Sequence, residues 1–418
     1  MIVSLPRLAV IATAVMASLV AAVSPALASP AALATGGVQA GITTGWPQLQ
    51  GNAAHTGFEP GETSVTSSNV NQLSVAWTAP LPSPVGTPDL TVAGGTLYAA
   101  SGSTVTALNA VTGAQLWQTS LPGTIASTPA VQGSLVITGY NEGHGASSRV
   151  FIVALSSATG AVVWTHRVSG AQLLKESVTT TPRRVYVSIS SGQVLALSMA
   201  HGLQLWASPV LAGAVCDISA PSVGGGFVVV GGGGGYVSAL HVSDGTLAWQ
   251  DNLGGGCGGS GDNWVPAISG TTVYAGLLNG VAALDLASGA IQWTRPSAGM
   301  VFFPLSVTGR IVIAGAKDAT EPVALARPGG AVRWTSPFHP RVTVLSGLAT
   351  FGSLTWATVE PTDSDAQAVA FDTATGQNVF SSAVYPDSSV DFTPPVVAAG
   401  RVYLDLSNEV LCLTLPAT

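Results

Sequence analysis

Short apolar segments alternate with turn residues along almost the whole chain. Residues 97–100 and 105–108 are typical, since each is four residues of apolar or β-branched character bounded by Gly, Ser or Asn. Such segments predict short strands joined by tight turns. No apolar stripe with a period of 3.6 residues runs through them, so helical repeats are disfavoured. The pattern predicts an all-β protein.

An aromatic residue closes every fourth segment at a nearly constant interval. The interval varies from 40 residues, between Trp77 and Trp117, to 47 residues, between Trp117 and Trp164. The full set is Trp77, Trp117, Trp164, Trp206, Trp249, Trp293, Trp334 and Phe380. A period of this size indicates a repeat architecture, and four strands, A to D, are predicted in each repeat.

Seven repeats contain all four strands, and the eighth is incomplete. The complete units are 87–118, 128–164, 179–206, 220–249, 265–293, 303–334 and 348–380. The last unit supplies only 393–397, 401–406 and 409–413, and residues 73–78 with Trp77 can supply its D strand. The sequence therefore predicts an eight-bladed β-propeller of four-stranded antiparallel blades over residues 45–418, its last blade closed by an N-terminal strand.

The first residues of the chain differ from the repeats. Arg7 precedes an apolar stretch at 8–23 and an Ala-x-Ala site at 26–28, which predicts a cleaved signal peptide over 1–28. Residues 29–44 are small and predict a flexible linker. No cysteine follows the cleavage site, which argues against a lipid anchor. We expect an exported protein, secreted or in the cell envelope, with no transmembrane span in the mature chain.

Charge and motifs exclude several functions. Only 8% of residues are charged, and 13 basic against 20 acidic residues give a net charge of −7, which disfavours a nucleic-acid partner. The six histidines show no metal-ligand spacing, so no metal site is predicted. The glycine motif at 254–259 precedes a strand and no helix, so it does not predict a dinucleotide site.

Two of the three cysteines lie in connections between neighbouring repeats. Cys216 and Cys257 both precede an A strand, and equivalent loops of adjacent blades lie close together. In an oxidising compartment this placement suggests a disulfide between them. Cys412 falls inside a strand and is predicted to be a buried small apolar residue.

The D–A and B–C connections are long and irregular, and in a propeller they project on one face. One residue in each blade stands two positions before the proline position of its A strand, and we expect these residues around the channel mouth. They are Gly86, Ser127, Glu176, Ser219, Trp264, Phe302, Ser346 and Phe392. The candidate binding set is Glu176, Asp217, Asp262, Asn263, Trp264, Phe302, Asp391 and Phe392. Its aromatic rings could stack a flat ligand while its polar groups hold a cation or sugar hydroxyls. Alternatively, Trp264 fills the mouth and the aspartates form Asx turns.

The repeat core reads Ala-Leu-x-x-x-(Thr/Ser/Asp)-Gly-x-x-x-Trp, as at 107–117 and 283–293. It resembles the PQQ-like (pyrrolo-quinoline quinone) repeat of quinoprotein dehydrogenases and of the outer-membrane assembly scaffold, and residues 46–57 resemble the segment before the first blade of that family. The resemblance covers about 46–415. It implies that each Trp docks between blades and that the Thr-Gly dipeptide makes the C–D turn. Blade 6 departs from the repeat motif at 327–330, where Arg-Pro-Gly-Gly replaces the usual turn. Blade 7 has Phe380 in place of Trp and therefore lacks the indole N–H.

The resemblance implies two functions of different classes. A quinoprotein dehydrogenase acting on alcohols or sugars would need PQQ, calcium and a catalytic carboxylate. Asp217, Asp262 and Asn263 match the calcium set only by loose analogy, and the chain lacks adjacent cysteines and long insertions. A binding role is therefore favoured over an enzymatic one. We expect a monomeric scaffold that needs no cofactor and binds a protein, peptide or cell-wall glycan through its D–A and B–C loops.

Overall fold

The computed structural model describes residues 45–82, 90–143, 148–170, 174, 177–213, 218–254, 265–277, 280–296, 305–315, 321–337, 346–361, 365–386, 394–406 and 408–416. The predicted signal peptide and linker lie outside these ranges. Within them the regular secondary structure is β-strand, apart from two short 3-10 helices at Leu49–Gly51 and Val70–Gln72. The all-β prediction is confirmed.

The strands are numbered in chain order. The first seventeen are β1 (Phe58–Glu59), β2 (Ser74–Pro80), β3 (Leu90–Ala93), β4 (Thr96–Ser101), β5 (Thr104–Asn109), β6 (Gln115–Ser120), β7 (Thr124–Ile125), β8 (Ala130–Gln132), β9 (Leu135–Glu142), β10 (Arg149–Ser156), β11 (Val162–Val168), β12 (Thr179–Thr180), β13 (Arg184–Ile189), β14 (Gln193–Ser198), β15 (Gln204–Ala207), β16 (Ser222–Gly224) and β17 (Phe227–Gly232). The others are β18 (Tyr236–His241), β19 (Leu247–Asn252), β20 (Ala267–Ser269), β21 (Thr272–Leu277), β22 (Gly280–Asp285), β23 (Ile291–Pro296), β24 (Ser306–Val307), β25 (Ile311–Ala314), β26 (Val323–Ala326), β27 (Val332–Thr335), β28 (Ala349–Phe351), β29 (Leu354–Val359), β30 (Gln367–Asp372), β31 (Asn378–Ser381), β32 (Val396–Ala398), β33 (Arg401–Asp405) and β34 (Glu409–Thr414).

These strands form eight antiparallel blades, which confirms the predicted propeller. Blades 1 to 7 are β3–β6, β7–β11, β12–β15, β16–β19, β20–β23, β24–β27 and β28–β31, and blade 8 is β32–β34 with β2. In blade 2 the inner strand is split, because β7 and β8 both pair with β9. As predicted, β2 closes blade 8 by pairing antiparallel with β34, which places Trp77 opposite Cys412. Cys412 is a buried free thiol, as expected.

Each repeat Trp docks on the next blade, as the resemblance implied. Six indole N–H groups donate to a carbonyl in the C–D turn of the following blade over 2.8 to 3.0 Å, namely Trp117 to Ser157, Trp164 to Met199, Trp206 to Val242, Trp249 to Leu286, Trp293 to Arg327 and Trp334 to Thr373. The rings lie directly against the turn glycine of that blade. In blade 6, whose turn at 327–330 differs from the repeat motif, Gly330 is the glycine that lies against the Trp293 ring.

Substitution of Gly202 tests how much the docking of a Trp ring on the C–D turn contributes to stability. Its φ is +64°, and an added Cβ would lie 2.4 Å from the Trp164 ring. Gly270 has the same φ of +64° with no atom within 4 Å of that position. Because both strain and overpacking act at Gly202, we expect Gly202→Ala to lower the free energy of unfolding by roughly 2–4 kcal/mol, against about 1–2 kcal/mol for Gly270→Ala. Urea unfolding measures both, and equal losses would contradict Trp docking as the cause.

A β-bulge sits beside the repeat aromatic in every blade. In blade 1, Trp117 faces Ala107 and Gln115 faces Leu108, so Leu116 has no partner in the ladder. The equivalent residues are Ala76, Val163, Leu205, Ala248, Gln292, Arg333 and Val379. Bulges bend an edge strand and interrupt its ladder, which disfavours edge-to-edge pairing between molecules. The bulge was not predicted from the sequence.

The junction of blades 7 and 8 explains the one repeat aromatic that is not Trp. Blade 8 has no C–D turn, because its C and D strands come from opposite ends of the propeller. The strand β31, which carries Phe380, instead contacts the 3-10 helix Val70–Gln72. A Trp at this position would have no C–D turn carbonyl to accept its indole N–H.

The A–B and C–D turns of each blade lie on one face, which we call the turn face. In seven blades an N–H of the C–D turn donates to an A–B turn carbonyl, as from Ala110 to Gly95 and from Val242 to Gly226. The D–A and B–C connections lie at the other ends of the strands and define the loop face. This arrangement agrees with the sequence-based assignment of loops to faces.

Candidate functional site

Residues 45–62, which we call the lead-in, cross the inner strands at the turn face and bond to all eight blades. Its backbone or side chains bond to Val92, Val131, Thr180, Val223, Ile268, Val307, Thr350 and Gly400, one residue from each blade in order. Its strand β1 also pairs in parallel with β28. In blades 1 to 7 the inner strand pairs within its own blade along one edge, and the lead-in hydrogen-bonds to backbone groups on its other edge. The lead-in therefore closes the channel at this end.

Side chains of the lead-in fill the space that the backbone encloses. Trp46 is 3% exposed and packs on Phe351 with ring centroids 4.6 Å apart. Gln48 accepts from the Thr180 N–H at 2.8 Å and donates to its carbonyl at 3.3 Å, so its amide pairs with blade 3 as a backbone amide would. These contacts fix the lead-in to blades on opposite sides of the ring.

His55 is a buried titratable residue of the lead-in. Its Nε2 lies 3.1 Å from the Thr179 hydroxyl, and its Nδ1 lies 3.1 Å from the Ser222 hydroxyl. The Ser222 hydroxyl donates to the Pro266 carbonyl, so its oxygen accepts from the Nδ1–H of His55. Nε2 then accepts from Thr179. Both nitrogens are satisfied in the neutral form, and burial lowers the pKa of His55 to about 3.

The channel contains a small cavity beside Trp46. It is lined by Trp46, Leu49, Gln50, Leu90, Thr128, Thr358, Pro394, Pro395, Val396 and Asp405 and has a volume of about 30 Å³. That volume suits one or two water molecules, whereas small-molecule sites usually have about 300–1,000 Å³. A tricyclic quinone does not fit in this cavity.

No group of three or more His, Cys, Asp or Glu that could hold a metal ion occurs among the described residues. The predicted calcium-like set, Asp217, Asp262 and Asn263, lies outside them.

The predicted binding residues all fall outside the described ranges. They are Glu176, Asp217, Asp262, Asn263, Trp264, Phe302, Asp391 and Phe392, and the candidate disulfide partners Cys216 and Cys257 lie outside them as well. Their roles remain predictions.

Three of the expected mouth residues are described, and each is buried. Ser219 accepts from the Gly231 N–H at 2.9 Å, and Ser346 accepts from the Thr358 N–H at 2.8 Å. Ser127 accepts from the Val178 N–H of the next blade at 3.2 Å. These hydroxyls therefore hold the start of the inner strand to neighbouring backbone.

The sequence reasoning did not place the lead-in residues that fill the channel. Gln48, Gln50 and His55 are buried polar residues in a segment that has no repeat partner. The sequence feature that could have identified them is the clustering of these polar side chains within 46–57. Within the described part of the chain, no helix has the length and apolar character needed to cross a membrane.

Known proteins resemble the chain in sequence. A family model described as outer membrane protein assembly factor BamB matches residues 61–148 and 146–336. The BamB proteins of Yersinia pestis and Escherichia coli K12 are 29% identical over 247 residues and 30% identical over 242 residues. Each alignment covers 55% of this chain and 61% of the relative, so the chain spans about three fifths of the length of these relatives.

Solved structures share the fold. BamB from Moraxella catarrhalis superimposes with a TM-score of 0.62 at 18% identity, covering 83% of this chain and 98% of that one. Quinohemoprotein alcohol dehydrogenase from Comamonas testosteroni has a TM-score of 0.67 at 14% identity, covering 91% of this chain and 83% of that one. At such identities the likeness concerns the propeller alone. The family match spans more than half of the sequence, and the chain belongs to the PQQ-like propeller family described as outer membrane protein assembly factor BamB.

Proposed function

We propose that this chain is an exported, monomeric scaffold protein that binds a protein, peptide or cell-wall glycan through its loop face. The observation that supports a binding role is the filled channel. The lead-in bonds to the inner strands of blades 1 to 7 and to the A–B turn of blade 8, and the channel cavity beside Trp46 has a volume of only about 30 Å³. A rigid ring with a filled centre leaves the connecting loops as the natural place for recognition.

Family membership supports the same class of function. The relatives are described as assembly factors of the outer membrane, and a scaffold that holds a partner needs no cofactor. In the proposal, Trp264, Phe302 and Phe392 contribute apolar contacts, and the neighbouring carboxylates select a partner. Aromatic anchors of this kind carry much of the binding energy in interfaces.

Site-specific photo-crosslinking tests the binding face. A photoreactive phenylalanine replaces Trp264 or Phe302 on the loop face, or Ala114 or Ser134 in exposed turns of the turn face as matched controls. Crosslinking in cells that make the protein should give the same discrete adduct from both loop positions and none from the controls. Adducts from the turn positions alone would contradict the proposed face.

Calorimetry with PQQ and calcium tests the alternative function, together with a dye-linked assay on alcohols and sugars. We expect no heat of binding and no turnover. Tight, stoichiometric binding of PQQ would overturn the scaffold proposal in favour of a quinoprotein dehydrogenase.

A further inference from the structure

Two adjoining grooves cross the turn face between blades 5 and 7. The groove between blades 6 and 7 has a volume of about 690 Å³ and lies between Phe58, Trp334 and the turn at Gly352. The groove between blades 5 and 6 has a volume of about 540 Å³ and extends to Tyr274 and Pro328. Both are lined by Gly309, Arg310 and Arg333, so they form one surface, which we call the arginine groove.

The charge of this surface is opposite to that of the protein. The whole chain has a net charge of −7, yet Arg310, Arg327 and Arg333 all line the groove. The side chains of Arg310 and Arg333 are exposed, and among the described residues neither guanidinium group has an ion-pair or hydrogen-bond partner. Asp372 is the carboxylate on the lining, and its Oδ1 accepts from the backbone N–H groups of Ala374 and Thr375.

Arg327 is the third arginine of the groove, and hydrogen bonds hold its guanidinium group in place. Its guanidinium donates to the Tyr274 hydroxyl at 3.0 Å, to the Thr308 carbonyl at 3.1 Å and to the Ser269 carbonyl at 3.0 Å. It also lies 5.5 Å from the centre of the Tyr274 ring. Every one of these partners is neutral, so the charge is held in place without being compensated.

The position of Arg333 follows from the repeat. It is the bulged residue of blade 6, where blades 1, 2 and 3 carry Leu116, Val163 and Leu205. The bulge removes this residue from the strand ladder and leaves its side chain exposed. One blade of the ring therefore presents a cation where others present an aliphatic side chain.

We propose that the arginine groove binds an acidic segment of a partner polypeptide. Guanidinium groups bind carboxylates through paired hydrogen bonds. The walls also include Phe58, Ile311 and Trp334, which suits a chain that alternates acidic and apolar side chains. A nucleic acid or sulfated glycan is disfavoured because the rest of this acidic protein would repel a long polyanion. This surface lies on the face opposite to the proposed loop-face site and does not depend on it.

Fluorescence anisotropy with a labelled peptide of sequence (Glu-Ser-Phe)₄ tests the proposal. The full-length protein should bind it at low salt, and binding should weaken as salt increases. Neither (Gln-Ser-Phe)₄ nor a twelve-residue oligothymidylate should compete. The double variant Arg310→Ala/Arg333→Ala should bind at least about tenfold more weakly, and Arg310→Lys/Arg333→Lys should be intermediate, because lysine keeps the charge and loses the paired geometry.

Arg295→Ala is the matched control, since Arg295 is exposed in blade 5 and does not line the groove. It should bind the peptide within about twofold of the unchanged protein. Equal binding by the double alanine variant, no binding of the acidic peptide by the unchanged protein, or preferred binding of the oligothymidylate would each overturn the proposal. Thermal melting of each variant confirms that the fold is retained.

Discussion

Lowering the pH from 7 to 3 should cost the folded protein about 4–5 kcal/mol through the single side chain of His55. Burial lowers the pKa of His55 from 6.5 to about 3, whereas the unfolded chain keeps the ordinary value. At pH values between these two pKa values, His55 is protonated in the unfolded state and neutral in the folded state. The free energy of unfolding therefore falls as the pH drops through this window, and the loss levels off below pH 3.

The physical reason is the arrangement of blades 3, 4 and 5 around the imidazole. Nε2 is already an acceptor for the Thr179 hydroxyl, so a second proton on the ring would break that bond and place a charge in a site that is 1% exposed. Thr179 and Ser222 offer no carboxylate to compensate the charge.

His55→Asn is the matched control for this effect. His55 has a φ of 51°, and asparagine is the residue other than glycine that adopts such a backbone most readily. The variant should be less stable at pH 7, yet its free energy of unfolding should fall less steeply between pH 6.5 and 3. Urea unfolding at several pH values measures both proteins. Parallel curves would show that other groups cause the acid sensitivity.

Trp249→Ala should lower the free energy of unfolding by roughly 3–5 kcal/mol. The ring is 9% exposed and packs against the C–D turn of blade 5, where Gly289 faces it. Its N–H donates to the Leu286 carbonyl at 2.8 Å. Removal of the ring opens the contact between blades 4 and 5 and leaves that carbonyl without its donor. Chemical unfolding followed by circular dichroism measures the loss.

Two further variants separate packing from hydrogen bonding. Trp249→Phe keeps most of the ring and loses the N–H, so we expect a loss of about 1–3 kcal/mol. Phe380→Trp should bring no gain, because blade 8 has no C–D turn to accept an indole N–H. A stabilising Phe380→Trp substitution would contradict this explanation of the departure from the repeat.

Much of the fold follows from local sequence. The spacing of the repeat aromatics predicts the number of blades, and the orphan segment around Trp77 predicts how the ring closes. These predictions succeed because strands, turns and docked indoles depend on residues within one repeat and its neighbour. The bulge beside each Trp escaped prediction, since alternation along a strand does not reveal a one-residue shift in pairing.

The candidate sites were less predictable. From the sequence, 46–57 was interpreted only as a segment before the first blade. His55 was interpreted only as one of six histidines without metal-ligand spacing. The arginine groove joins residues of blades 5, 6 and 7 with Phe58, and no local motif connects them.

The sequence by itself determined the eight-bladed ring and its closure by the strand at Trp77, and the family resemblance implied that each Trp docks between blades. Only the tertiary structure decided that the lead-in closes the channel, that His55 is held neutral, and that three arginines line one surface. The reason is distance along the chain. His55 bonds residues 124 and 167 positions away, and Gln48 bonds one 132 positions away, so their environment exists only when the ring is complete.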